Sequence, residues 1–121
     1  MGPDRIKVTQ SKQVAIIIPT GALDTTWAKA MKRVLEELLD AGKTRFVVDL
    51  RGVTYLDSAG LGELVRGMKR AREAGGDLRV CGLRGEAAKI FELTRLSQQM
   101  GVYRTRKDAV ASWGKRVGKG I

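Results

Sequence analysis

Two apolar runs rich in β-branched residues, VAIII at 14–18 and RFVVDL at 45–50, frame a segment with a different rhythm. Each run is too short for a helix and too continuously apolar for an exposed strand, so both are expected as buried strands. Between them Trp27, Met31, Val34, Leu35 and Leu38 recur at helical spacing on one face of a helix from about Thr25 to Ala41. Asp24 or Thr25 can cap its start, where backbone N–H groups lack partners, and Gly42 is placed to end it. Strand, helix and strand in succession restrict the chain to an α/β fold with right-handed crossovers.

The flanking segments extend that pattern. Ile6 and Val8 alternate with polar neighbours as in a short strand, and QSKQ at 10–13 suits a tight antiparallel connection to the VAIII strand. PTGALD at 19–24 breaks the pattern and leads into the first helix. A second helix is expected to present Leu61, Leu64, Val65, Met68 and Ala71, with Gly75-Gly76 as its stop. LRVC at 78–81 reads as another strand. Glu86 to Leu96 reads as a third helix with Ala87, Ile90, Phe91 and Leu93 or Thr94 near one face. Val102-Tyr103 reads as a short last strand, and Asp108 to Val117 as a closing helix packed through Val110 and Trp113 or Val117. The expectation is one domain over 1–121, with a core of about 5–113 and a basic, glycine-rich tail of about 114–121 that frays. Its sheet would be mixed, with four to five strands packed against about four helices that cover one face heavily.

Composition closes off several functions. The 121 residues contain no histidine, which removes the usual general base, the commonest metal ligand and every Ser-His or Cys-His pair. Cys81 is the sole cysteine, so no intramolecular disulfide or cysteine-based zinc cluster can form, and its place in LRVC suggests a small core residue. No segment approaches the roughly 18 apolar residues of a membrane span. MGPDRIKVTQ lacks a secretory apolar stretch, and position 6 has no Ser or Thr to support myristoylation at Gly2. A soluble cytoplasmic protein is expected. The net charge of +10 is uneven: residues 1–60 carry 9 Lys and Arg against 7 acids, and residues 61–121 carry 14 against 6. A basic half is compatible with nucleic acid, an anionic membrane or an acidic protein partner, of which a membrane partner is not expected. It is equally compatible with a solubilising face, and 5% aromatic residues give no visible stacking platform.

The chemistry concentrates in YLDSAGLGEL at 55–64, where a strand hands over to a helix. Ser58 has three readings. A nucleophile needs a base, which no histidine can supply, and Leu56 stands where the first glycine of G-x-S-x-G belongs. A helix N-cap is the plain structural reading, since Ser and Asp both cap well. A phosphorylation switch is the third. A helix start tolerates a phosphate, whose charge of roughly −1.5 to −2 would meet any partner docked on the turn. Small Gly60 and Gly62 would let a partner backbone come close, and Asp57 would add to the negative charge.

Several segments in order and at matching spacing resemble the STAS domain family, in particular bacterial anti-sigma-factor antagonists. GALD at 21–24 is similar to that family's G-x-L-D before the first helix. VVDLRGVTYLDSAGLG at 47–62 resembles its strand and phosphorylated turn. GGDLRVCGL and FELTRL (91–96) resemble its next strand and third helix. The resemblance implies a STAS fold and a partner-switching role in transcription regulation. The unphosphorylated form would bind an anti-sigma factor that is also a serine kinase, releasing a sigma factor. That kinase would phosphorylate Ser58, and a PP2C-type phosphatase would reverse the reaction. Asp24, Asp57, Ser58, Ala59, Gly60 and Gly62 would form the partner-binding surface. The protein would be a substrate and binder, not an enzyme, with no cofactor and no metal, and monomeric when free.

Two positions depart from the common pattern. Ala59 stands where many relatives have Ser or Thr, which leaves Ser58 the sole hydroxyl of the turn. Ala22 replaces a frequent glutamate, which removes one acidic contact. The alternatives are a STAS scaffold or interaction subunit in another signalling or transport complex without sigma release, and a basic nucleic-acid-binding domain. GLRGEAAK at 82–89 lacks the GK[ST] ending of a phosphate-cradling loop and reads as a helix start.

Overall fold

A computed structural model of the chain describes residues 6–114. In chain order its elements are β1 (Ile6–Ser11), β2 (Val14–Pro19), β3 (Gly21–Leu23), α1 (Thr25–Asp40), β4 (Arg45–Asp49), β5 (Val53–Leu56), α2 (Ser58–Glu73), β6 (Asp77–Cys81), α3 (Gly85–Leu93), β7 (Val102–Tyr103) and α4 (Arg106–Ala111). The expected α/β architecture is present. Strands in the order β1-β2-β4-β6-β7 form the main sheet, antiparallel between β1 and β2 and parallel from β2 onward. Ser11 pairs with Val14, so only Lys12 and Gln13 make the hairpin turn, both at positive φ as a right-twisted two-residue connection requires.

Alternation along the central strands sorts their side chains between two cores. Ala15, Ile17, Phe46, Val48, Leu78 and Val80 face the larger one, with Trp27, Met31 and Leu35 of α1, Leu64 and Met68 of α2 and Phe91 of α3. Val14, Ile16, Val47 and Cys81 face the other, where Ala109 and Val110 of α4 cover them. Cys81 is fully buried, and burial together with the adjacent Asp49 carboxylate pushes its thiol up to about 12. It is an inert core residue rather than a reactive thiol.

One strand, three helix boundaries and one face differ from the sequence reading. GAL at 21–23 is not a plain break: it pairs in parallel with β5, forming a separate two-stranded sheet. The third helix stops at Leu93, because Arg95 takes a left-handed conformation at φ 58° before a 3-10 turn at Leu96–Gln98. Leu93 is 82% exposed rather than on the packing face. The closing helix starts at Arg106 behind a Thr105 cap, whose hydroxyl accepts from the N–H of Asp108, and it ends at Ala111. Val117 and tail residues 115–121 lie outside the described residues.

Six arginines have acidic partners among the described residues. Each of three carboxylates is bridged by two arginines: Asp49 by Arg51 and Arg106, Glu63 by Arg66 and Arg70, and Asp77 by Arg72 and Arg79. Asp49 and Glu63 are buried. Arg106 donates from both Nε and Nη2 to Asp49 Oδ2 (3.1 and 2.9 Å), which ties α4 to the end of β4. Arg79 spans between Asp77 and the Ser112 hydroxyl while stacking 3.9 Å over the Trp113 ring.

The two buried carboxylates titrate in opposite directions. Burial pushes Asp49 up, but the N–H of Arg51 and the guanidinium groups of Arg106 and Arg51 together hold it below the ordinary aspartate value. At Glu63 burial outweighs Arg70 and Arg66, so its carboxyl is raised. A depressed Asp49 stabilises the fold above the unfolded value near 4, and that contribution is lost as pH falls through the folded value. A raised Glu63 acts oppositely, favouring the fold at low pH and less so as pH rises. Asp49→Asn should therefore cost about 3 kcal/mol at pH 7 by breaking a buried pair. The gap from the parent in denaturant-derived stability should narrow as pH falls below about 4. Parallel stability curves for the two proteins would contradict this assignment.

Candidate functional site

The two-stranded sheet builds the site. β3 and β5 run parallel with Leu23 paired to Leu56, so the next residues, Asp24 and Asp57, emerge side by side. Each is extended (φ −117° and −112°) and each caps the helix that follows. Asp24 Oδ1 accepts from the N–H of Trp27 at 3.1 Å. Asp57 Oδ1 accepts from Ala59 and Gly60 at 2.9 and 3.1 Å. The N–H of Asp57 donates to the Leu23 carbonyl at 3.3 Å and ties the two turns together.

This geometry decides what Ser58 is not. Asp57 supplies the cap, and Ser58 is the first residue inside α2. Ser58 is exposed, and among the described residues its hydroxyl makes no hydrogen bond. The capping role considered for Ser58 therefore belongs to its neighbour. An outward hydroxyl sits at a helix start, where exposed N–H groups and the macrodipole favour negative charge.

The two glycines of the motif separate sharply. Gly60 is buried, and a Cβ there would lie 2.1 Å from the Leu23 carbonyl oxygen. Its missing side chain is used inside the chain, to seat α2 on β3, instead of opening space for a partner. Gly62 lies on the outer side, where a Cβ would meet only the Arg66 guanidinium at 3.5 to 3.8 Å. Ala59, Asp24 and Asp57 are partly exposed beside Ser58. Ala22 is paired with Tyr55. Tyr55, which the sequence reading did not single out, is 53% exposed two residues before Asp57. Its signal was an aromatic at an outward strand position. Glu63 was also passed over, because a charged residue beside an apolar face reads as solvated until its two arginines are seen.

The glycine difference is measurable. Gly60→Ala should lower unfolding stability by several kcal/mol, since helix backbone and strand carbonyl must move apart. Gly62→Ala should raise it by up to about 1 kcal/mol through helix propensity. Equal effects in urea denaturation would contradict the assignment.

The STAS domain family matches residues 5–109. The anti-sigma-B factor antagonist of Staphylococcus aureus (strain NCTC 8325 / PS 47) is 30% identical over 82 residues, covering 68% of this chain and 76% of that protein. The crystal structure of an anti-sigma factor antagonist from Mycobacterium paratuberculosis superposes with a TM-score of 0.78 at 25% identity, over 88% of this chain and 91% of that one. The Bacillus cell fate determinant SpoIIAA in its phosphorylated form shares the fold at a TM-score of 0.70 and 16% identity, over 88% and 97% of the chains. The paired capping aspartates, the first-turn serine and the sheet order thus coincide with a match spanning nearly all described residues: the chain belongs to the STAS domain family.

Proposed function

We propose that this protein is an anti-sigma factor antagonist that acts by partner switching, with Ser58 as its phosphorylation site. The unmodified protein binds an anti-sigma factor with serine kinase activity and so releases a sigma factor. Phosphorylation of Ser58 ends that binding, and a PP2C-type phosphatase restores it. The observation that carries this reading is the Ser58 hydroxyl at the start of α2, unengaged among the described residues, with the capping work done by Asp57.

The physical effect follows from charge. The unmodified turn presents two carboxylates, Asp24 and Asp57. A phosphate adds roughly −1.5 to −2 more on the same surface. The helix start accommodates that anion, so the fold need not change for the surface to change. A partner seated over Ala59, Ser58 and Gly62 meets new bulk and a third negative group. Acting as substrate and binder, the protein needs no base of its own, in keeping with its lack of histidine. The action belongs in the cytoplasm, where sigma factors and nucleoside triphosphates are found, with the free chain monomeric.

The nucleic-acid alternative draws less support. Six arginines, five of them in the basic second half, are committed to Asp49, Glu63 and Asp77 rather than forming one unpaired stripe. Calorimetric titration with the kinase separates the outcomes of the leading reading. Ser58→Ala should bind as the parent does and resist phosphorylation. Ser58→Glu should bind about tenfold or more weakly, a loss of at least ~1.4 kcal/mol, with unchanged melting. Parent-like affinity for Ser58→Glu, together with parent-like affinity of the phosphorylated protein, would rule the switch out.

A further inference from the structure

Ser58, Gly62 and Arg66 are spaced four apart on α2 and therefore lie on one helix face. Helical side chains lean toward the N-terminus, so Arg66 reaches back over Gly62. The contact is direct: Nη1 and Nη2 lie 3.5 and 3.6 Å from where a Cβ on residue 62 would stand. Position 62 is itself about 5–6 Å from Ser58 between β-carbons. With no side chain on Gly62, nothing on this helix face separates the guanidinium from the serine.

Arg66 is also available to move. Its side chain is 62% exposed, and its one partner among the described residues is Glu63, reached through Nε at 3.3 Å. Glu63 keeps Arg70, whose Nη2 donates at the shorter distance of 3.0 Å. The Nη1 and Nη2 ends of Arg66 have no acceptor among the described residues and lie beside Gly62, about one helical turn from Ser58.

We propose that Arg66 is the internal partner of a phosphate on Ser58: the guanidinium closes over Gly62 onto the phosphate oxygens and lays the group back along α2. This inference rests on the reading of Ser58 as the modified residue. A guanidinium matches phosphate oxygens in forked geometry, and a phosphate carries up to twice the charge of the Glu63 carboxylate, which keeps Arg70. The consequence is regulatory. The pair stabilises the phosphate dianion against the repulsion of Asp57 and Asp24, and it fixes the direction in which the modified turn presents its charge to a partner or phosphatase.

The test uses the full chain with phosphoserine incorporated at position 58 during translation, titrated by phosphorus NMR. The helix start and the two aspartates act equally on parent and Arg66→Gln, so their difference isolates the arginine. The second phosphate pKa should lie roughly 0.3 to 0.7 of a pH unit lower in the parent than in Arg66→Gln at low salt. Arg66→Lys should fall between them, and the difference should collapse in 1 M salt. Equal values in parent and Arg66→Gln, with both proteins folded by circular dichroism, would overturn the proposal. Because the phosphate is installed without any kinase, that result leaves the switch reading standing. Absence of phosphorylation by the cell's own kinase would instead defeat the switch reading and leave the Arg66 pairing intact.

Discussion

The contact on which the surface depends is the seating of the first turn of α2 against the Leu23 carbonyl. Only a residue without a side chain can occupy position 60 there, since a Cβ would come within 2.1 Å of that oxygen. The same carbonyl accepts the N–H of Asp57. These two approaches lock α2 to β3, and the parallel pairing of β3 with β5 then sets Asp24 beside Asp57. Each aspartate spends one oxygen on its own helix. Among the described residues Ser58 is left with an unoccupied hydroxyl at the start of α2, where under the proposed switch an added charge would change the surface without changing the fold.

Charge is organised at two depths in this molecule. Away from that turn, Asp49, Glu63 and Asp77 each gather two arginines, and Arg106 uses its pair with Asp49 to fasten α4 to β4. At the surface, the switch turn is locally acidic on a strongly basic chain. An added phosphate is therefore repelled by its immediate neighbours and attracted by cations one or two helical turns away. Under the proposed switch, that contrast would make the turn electrostatically distinctive to a partner, and a basic second half could coexist with a protein-binding role.

Much of this was legible in the residues, and the rest was hidden for identifiable reasons. VAIII and RFVVDL announced buried strands because β-branched runs have few other uses. Trp27, Met31 and Leu35 announced α1 by their period. β3 escaped notice because three residues carry no period at all, and its partner β5 lies thirty residues further along. Asp57 and Ser58 are adjacent and both good caps, so only geometry could assign the cap to one and free the other. Gly60 and Gly62 are identical as letters, yet two positions on a helix turn one inward and the other outward. The end of α3 was misplaced because Arg95 adopts a left-handed conformation that its identity does not advertise.

The central claim is that Ser58 is a modified switch residue. The direct measurement is intact mass of the protein purified from its own cells, with peptide mapping across residues 52–66, under several growth conditions. The account predicts a phosphorylated fraction, with the phosphate on Ser58 alone and a proportion that changes with growth condition. Protein that is unmodified under every condition, and that its co-purifying kinase fails to modify, would contradict it and reduce Ser58 to an ordinary exposed residue at a helix start.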